Sequence, residues 1–244
     1  MKKLSRYILV AIPFLLVAGI LSAFTISWTE TIRGNGKVSQ EDRTAGSFKE
    51  ISTSGVFKVV IQQGSTHSIK IEAEENLLPY IETSVSGNEL SIHTKRGHNI
   101  NPTKSVTVYV TMAKVNKLSA SGASGFTSTG ILKTDRLKLA FSGAADATLD
   151  IEAANLEVGL SGASNIKLKG SSSDAEYHIS GTADIAALDL ESQDVAVSIS
   201  GTGKAQVFAQ KKLEVNISGL GKVKYKGEPT VRQEISGMGK ISKI

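Results

Sequence analysis

The 244-residue chain is 40% apolar and 21% charged, with 23 glycines, 4 prolines and no cysteine. That balance suits a folded protein with many tight corners. It suits such a fold better than disorder or a collagen-like or proline-rich segment, and the absence of cysteine excludes disulfides, cysteine-ligated zinc, a thiol nucleophile and a lipidated N-terminal cysteine. Three of the five net positive charges sit at Lys2, Lys3 and Arg6, so the rest of the chain is near +2 and carries no nucleic-acid footprint.

Those three cations precede an apolar stretch from Tyr7 to Trp28, and no further charge occurs before Glu30. The pattern is that of a signal peptide or an N-terminal transmembrane anchor helix, with Ser22 and Ala23 supplying small residues for cleavage. Either way the remainder is exported, to the periplasm, the outer membrane or cell surface, or the medium. Residues 1–28 are therefore set apart, 29–46 are read as a linker, and 47–244 as one domain. Within it, 47–112 is irregular and 113–244 is regular.

The irregular part is strand-rich. A Ser-Gly corner at Ser54 is followed five and seven residues later by Val59 and Ile61, which predicts a first coil. Residues 68–73, 80–85, 89–94 and 105–112 alternate as strands, and Gly87-Asn88 predicts a hairpin turn. The run E-E-N-L-L-P-Y at 74–80 reads as a short helical turn, and 95–104 as an exposed loop.

Seven further Ser-Gly corners follow 18 to 21 residues apart, beginning at Ser121, Ser142, Ser161, Ser180, Ser200, Ser218 and Ser236. A fixed period of that length marks a solenoid whose turns touch only their neighbours. Aligned on the serines, the residue before each corner from the second copy on is Phe141, Leu160, Ile179, Ile199, Ile217 and Ile235. Positions two and four residues further back are also mostly apolar, as are those five and seven after the serine, so each corner joins two strands with one inward face. Glycine after every serine predicts a bend with positive φ, and the hydroxyl is available to a backbone group left open there. A nucleophile is not needed seven times, so serine and glycine are read as structural.

The G-N-G-K-V segment at 34–38, the E-E-N-L-L-P-Y-I-E-T run at 74–83 and the S-G-x-[AGS]-[DNGK] repeats together resemble the auto-transporter adhesin, head GIN domain family (the DUF2807 group) over residues 34–244. The resemblance implies an all-β, right-handed parallel β-helix in the bacterial envelope, with no assigned catalytic residues. Only seven residues follow the Ser236-Gly237 corner, so no translocator barrel is expected after it.

The fourth residue after each serine reads Gly125, Asp146, Asn165, Asp184, Lys204, Lys222 and Lys240. Three stacked lysines repel by roughly a few tenths of a kcal/mol per exposed pair. An acidic glycan would relieve that repulsion, which makes Lys204, Lys222 and Lys240 the candidate contacts for such a glycan or for a cell-surface protein. The plainer alternative is a solvated, aggregation-resistant face. Asp146, Asn165 and Asp184 are too few oxygens for calcium, so neither a metal nor a cofactor is expected. Asp150 and Lys169 fall on matching positions and predict a register-setting ion pair. His67, His93, His98 and His178 have no metal spacing. Gln233, Lys240 and Lys243 are read as polar interruptions of apolar columns that cap the last coil. The leading function is adhesion without catalysis. The competing readings are a membrane-anchored periplasmic scaffold or sensor in envelope stress or assembly, and a polysaccharide-degrading enzyme, for which no paired carboxylates are evident.

Overall fold

The computed structural model describes residues 30–244, so the expected signal or anchor at 1–28 lies outside the described residues. No helix among the described residues is long and apolar enough to cross a membrane. The architecture is a parallel β-solenoid. Strand Gly125–Phe141 pairs with Ala144–Leu160, that with Ala163–Ile179, then Thr182–Ile199, then Thr202–Ile217, each parallel to the next. The stack ends on Leu220–Lys226 with Met238–Lys243 and, beside them, Thr230–Ile235.

Inward columns are laid down as the period-two pattern requires. Leu139, Val158, Tyr177, Val197 and Val215 are all buried, as are Ala147, Ile166, Ile185, Ala205 and Val223. Full burial of each large aliphatic side chain contributes about 1.5–3 kcal/mol, so the core is a string of small equal contributions along the axis. One more inward column was not anticipated: the third residue after each serine is Ser124, Ala145, Ser164, Ala183, Gly203, Gly221 and Gly239. These must be small, because a Cβ at Gly221 would lie 2.8 Å from the Ile217 side chain.

The corner glycines correct the expected reason for their presence. Gly55 has φ +144°, but none of the seven that follow lies in the left-handed region. Their constraint comes from the coil beneath. A Cβ at Gly143 would sit 2.2 Å from the Gly122 carbonyl oxygen, one at Gly162 2.0 Å from that of Gly143, and one at Gly201 2.2 Å from that of Gly181. Such close backbone approach is tolerated only without a side chain. Main-chain bonding continues through the bend, with Thr182 N–H donating to Gly162 (3.0 Å) and Ser180 N–H to Leu160 (2.9 Å). The serine hydroxyls donate long bonds to the same carbonyls, as from Ser180 to Leu160 at 3.4 Å.

Coil order departs from chain order at the N-terminal end. Lys58–Gln63 pairs in parallel with the strand from Gly125 on one side and with Thr107–Met112 on the other. Glu50–Ser54 lies likewise between Lys117–Ala120 and Glu89–Thr94. The Ser54 coil is thus inserted between a later coil and the regular stack, and Val59 faces Phe126 as the five-residue offset requires. Ser68–Glu74 runs antiparallel against Thr107–Met112, and Val38–Arg43 antiparallel against Ser68–Glu74. Ile81–Ser86 closes the other edge through the Gly87-Asn88 hairpin, where Gly87 has φ +58°.

Two expectations are revised here. The 95–104 loop contains a strand, His98–Asn101, because Ile100 is buried and its backbone pairs in parallel with Glu30–Arg33. Glu30–Arg33 itself and Val38–Arg43 are strands within the 29–46 segment expected to be a linker.

Candidate binding face

The strand after each corner presents its second, fourth and sixth residues to solvent. The fourth-residue column is in register throughout: Gly125, Asp146, Asn165, Asp184, Lys204, Lys222 and Lys240 are successive Cα partners. The three candidate lysines therefore do stack, but they are not equivalent. Lys204 Nζ lies 3.6 Å from Asp184 Oδ2 on the coil beneath. Lys222 and Lys240 have no carboxylate within 4.0 Å among the described residues. The uncompensated charge is therefore concentrated on the last two coils, where Lys224 adds a third cation in the neighbouring outward column.

A shallow open groove of about 500 Å³ runs beside this column, lined by Thr182, Thr202, Lys204, Leu220, Lys222 and Met238 among others. Leu220 and Met238 are 49% and 78% exposed in a column that earlier coils fill with alanine and threonine. At the acidic end Asn165 Nδ2 donates to Asp146 Oδ1 at 3.1 Å, so that carboxylate is partly spent within the stack. The expected Asp150–Lys169 pair is present at 3.0 Å.

Among the described residues no group of three or more His, Asp or Glu side chains is placed to hold a metal ion. His178 is exposed beside Glu176 at 2.9 Å, His93 beside Glu82 at 3.2 Å, and His67 reaches the Phe48 carbonyl at 3.2 Å. Lys240 stands in the outward column, so it interrupts no apolar row, unlike Gln233 opposite Val215 and Lys243 opposite Tyr225. Val231 and Ile235 remain more than a third exposed on the last coil.

The buried cluster that residue-by-residue reading missed is built around Glu74. Its carboxylate is fully buried and makes no ion pair within 4.0 Å among the described residues. It accepts from Gly36 N–H (2.6 Å), Thr103 Oγ1 (2.6 Å), Thr103 N–H (2.8 Å) and Lys104 N–H (3.3 Å). The Thr103 hydroxyl does most to hold its pKa down at about 2; desolvation opposes it, and the three backbone donors reinforce the hydroxyl. A Cβ at Gly34 would fall 1.9 Å from the same carboxylate, and Asn76 bonds the Arg33 carbonyl and the Asn35 N–H. The G-N-G-K and E-E-N-L-L-P-Y segments thus meet in one knot, which the 103–104 loop closes.

The model of the family described as "Putative auto-transporter adhesin, head GIN domain" matches residues 47–229. The chain belongs to this family. Among solved structures, one described as a putative adhesin from Bacteroides fragilis superposes with a TM-score of 0.83 at 23% identity, covering 87% of this chain and 100% of its own. A second, a putative adhesin from Parabacteroides merdae, gives 0.68 at 24% identity over 88% and 100%. A third, described as a putative lipid binding protein from Parabacteroides distasonis, gives 0.67 at 23% identity over 88% and 100%. At these identities the likeness establishes the fold alone. No curated protein matches the chain. The head GIN match ends before the last coil, so Lys240 and Met238 lie beyond the matched residues.

Proposed function

We propose that this head GIN protein is an exported, non-catalytic adhesin of the cell envelope. It holds acidic surface polymers along the outward column that ends in Lys222 and Lys240. The observation that carries the reading is the in-register stacking of these two unpaired lysines on adjacent coils, about 4.8 Å apart, next to Lys224. A polymer with regularly spaced negative charge meets such a column at several points, and each contact adds to the effective concentration for the next. Lys204 contributes less, because Asp184 already neutralises it. Family membership supports the adhesive class, and the absence of a walled cleft along the coils favours a flat contact over an enclosed substrate site.

The test is retention on acidic polysaccharides, such as alginate and dextran sulfate, and on matrix proteins. Wild type is compared with a Lys204→Glu, Lys222→Glu, Lys240→Glu variant. Binding that weakens with salt and drops at least about tenfold in the variant is expected. Equal retention of the two proteins contradicts the assignment of these lysines.

A further inference from the structure

The same outward strip has a symmetry that ligand binding alone leaves unexplained. Over six successive coils the fourth-residue column runs Asp146, Asn165, Asp184, Lys204, Lys222, Lys240, and the second-residue column runs Ala144, Ala163, Thr182, Thr202, Leu220, Met238. The two columns are graded in the same direction along the coils. The first passes from acid and amide to base, the second from small to large.

We infer that this strip is a homodimer interface on which a second copy of the chain docks face to face with its solenoid axis reversed. A two-fold axis parallel to the strands, between the third and fourth coils, keeps each column opposite itself and inverts the order of coils. It sets Lys240 against Asp146, Lys222 against Asn165, and the Lys204–Asp184 bridge of one copy against that of the other as a square of alternating charge. In the adjoining column Met238 covers Ala144, Leu220 covers Ala163, and Thr202 meets Thr182. Charge and bulk are complementary in the same register.

Other registers lose this match. A slip of one coil sets Lys204 on its own two-fold mate and Lys240 on Asn165, and a parallel arrangement sets lysine against lysine. One discord remains in the sixth-residue column, where Lys167 faces Lys224. Six coils at about 4.8 Å and three outward columns about 6.7 Å apart give roughly 600 Å² per copy, the low end for a specific interface. The dimer is therefore weak and concentration-dependent. Because it covers the cations assigned to acidic polymers, self-association and polymer binding exclude one another.

The exported protein is examined by sedimentation between about 5 and 500 µM, a range matched to a weak interface. A monomer–dimer equilibrium that dissociates at higher salt is expected. Asp146→Lys and Lys240→Glu each lose dimerisation by tenfold or more, because each places like charges opposite. Mixed together they pair with each other, since one copy then offers two cations and the other two carboxylates. Lys167→Glu strengthens the dimer. A wild type that stays monomeric throughout, or single variants that dimerise as well as wild type, overturns the proposal. So does a mixture that fails to pair while both variants keep the wild-type melting temperature. Dextran sulfate separates this inference from the ligand reading: a monomer that binds it leaves the ligand reading standing alone, and a dimer it neither binds nor dissociates leaves self-association standing alone.

Discussion

The N-terminal region through Met112 and the Ser-Gly coils beyond it are made of the same parallel rungs, yet they are held by different physics. The coils rely on repetition. Each glycine stands on the carbonyl of the glycine beneath, each inward side chain stacks on its counterpart, and no residue matters more than its homologue one turn away. The N-terminal region relies on singular contacts. Antiparallel strands cover the stack, the Ser54 coil is inserted out of chain order, and Glu74 gathers the 34–36 and 103–104 loops around one buried charge. A repeat therefore tolerates dispersed loss but not a side chain at the corner, whereas its closed end depends on a few groups that nothing else duplicates.

The strongest test of the repeated half is Gly181→Val. The added Cβ would meet the Gly162 carbonyl at 2.2 Å in a stack that cannot open locally, so a loss of about 3 kcal/mol or more in chemical denaturation is expected. The corresponding blow to the singular half is Glu74→Gln, which removes the charge that four donors share. It should lower the denaturation midpoint and expose the N-terminal amides to hydrogen exchange before those of the coils. The same group sets a pH window. Its folded pKa lies below its ordinary value of 4.5, so its contribution is complete above about 4.5 and is lost as pH falls towards 2. N-terminal amides should therefore lose protection first on acidification, and the Gln variant should lack that step.

Truncation after Gly227 removes the last coil and bares the apolar columns beneath it, with soluble aggregates expected by light scattering. Persistence of the monomer would show that the final coil protects nothing. Smaller still is Asp150→Ala, which breaks the half-exposed pair with Lys169 and should cost under about 1 kcal/mol. Gly130→Ala completes the series. Nothing lies within 4 Å of its Cβ position, so stability should hold or rise by about 0.4–1 kcal/mol, in contrast to Gly181.

The coils were legible in the sequence because a period-two pattern set on a fixed serine needs no long-range information, and the lysine column followed from the same alignment. The neutralisation of Lys204 was also visible there, since Asp184 precedes it in the column. The true constraint on the corner glycines was not. It depends on how near one coil lies to the next, which no single coil encodes. The strand at His98–Asn101 and the placement of the Ser54 coil out of chain order were hidden for a similar reason, as their pairing partners are distant in sequence. The Glu74 knot showed itself as a recognisable motif without its chemistry, because its donors are mostly backbone N–H groups.

The most direct test of the stacking uses the absence of native cysteine. Paired cysteines replacing Thr148 with Lys167, or Lys167 with Ala186, should form disulfides readily under mild oxidation, since these are Cα partners on adjacent coils. Thr148 paired with Asn165, two residues out of register, should not. Rapid bonding of the offset pair, or none by the aligned pairs, would contradict a stack in which each coil lies on the one before.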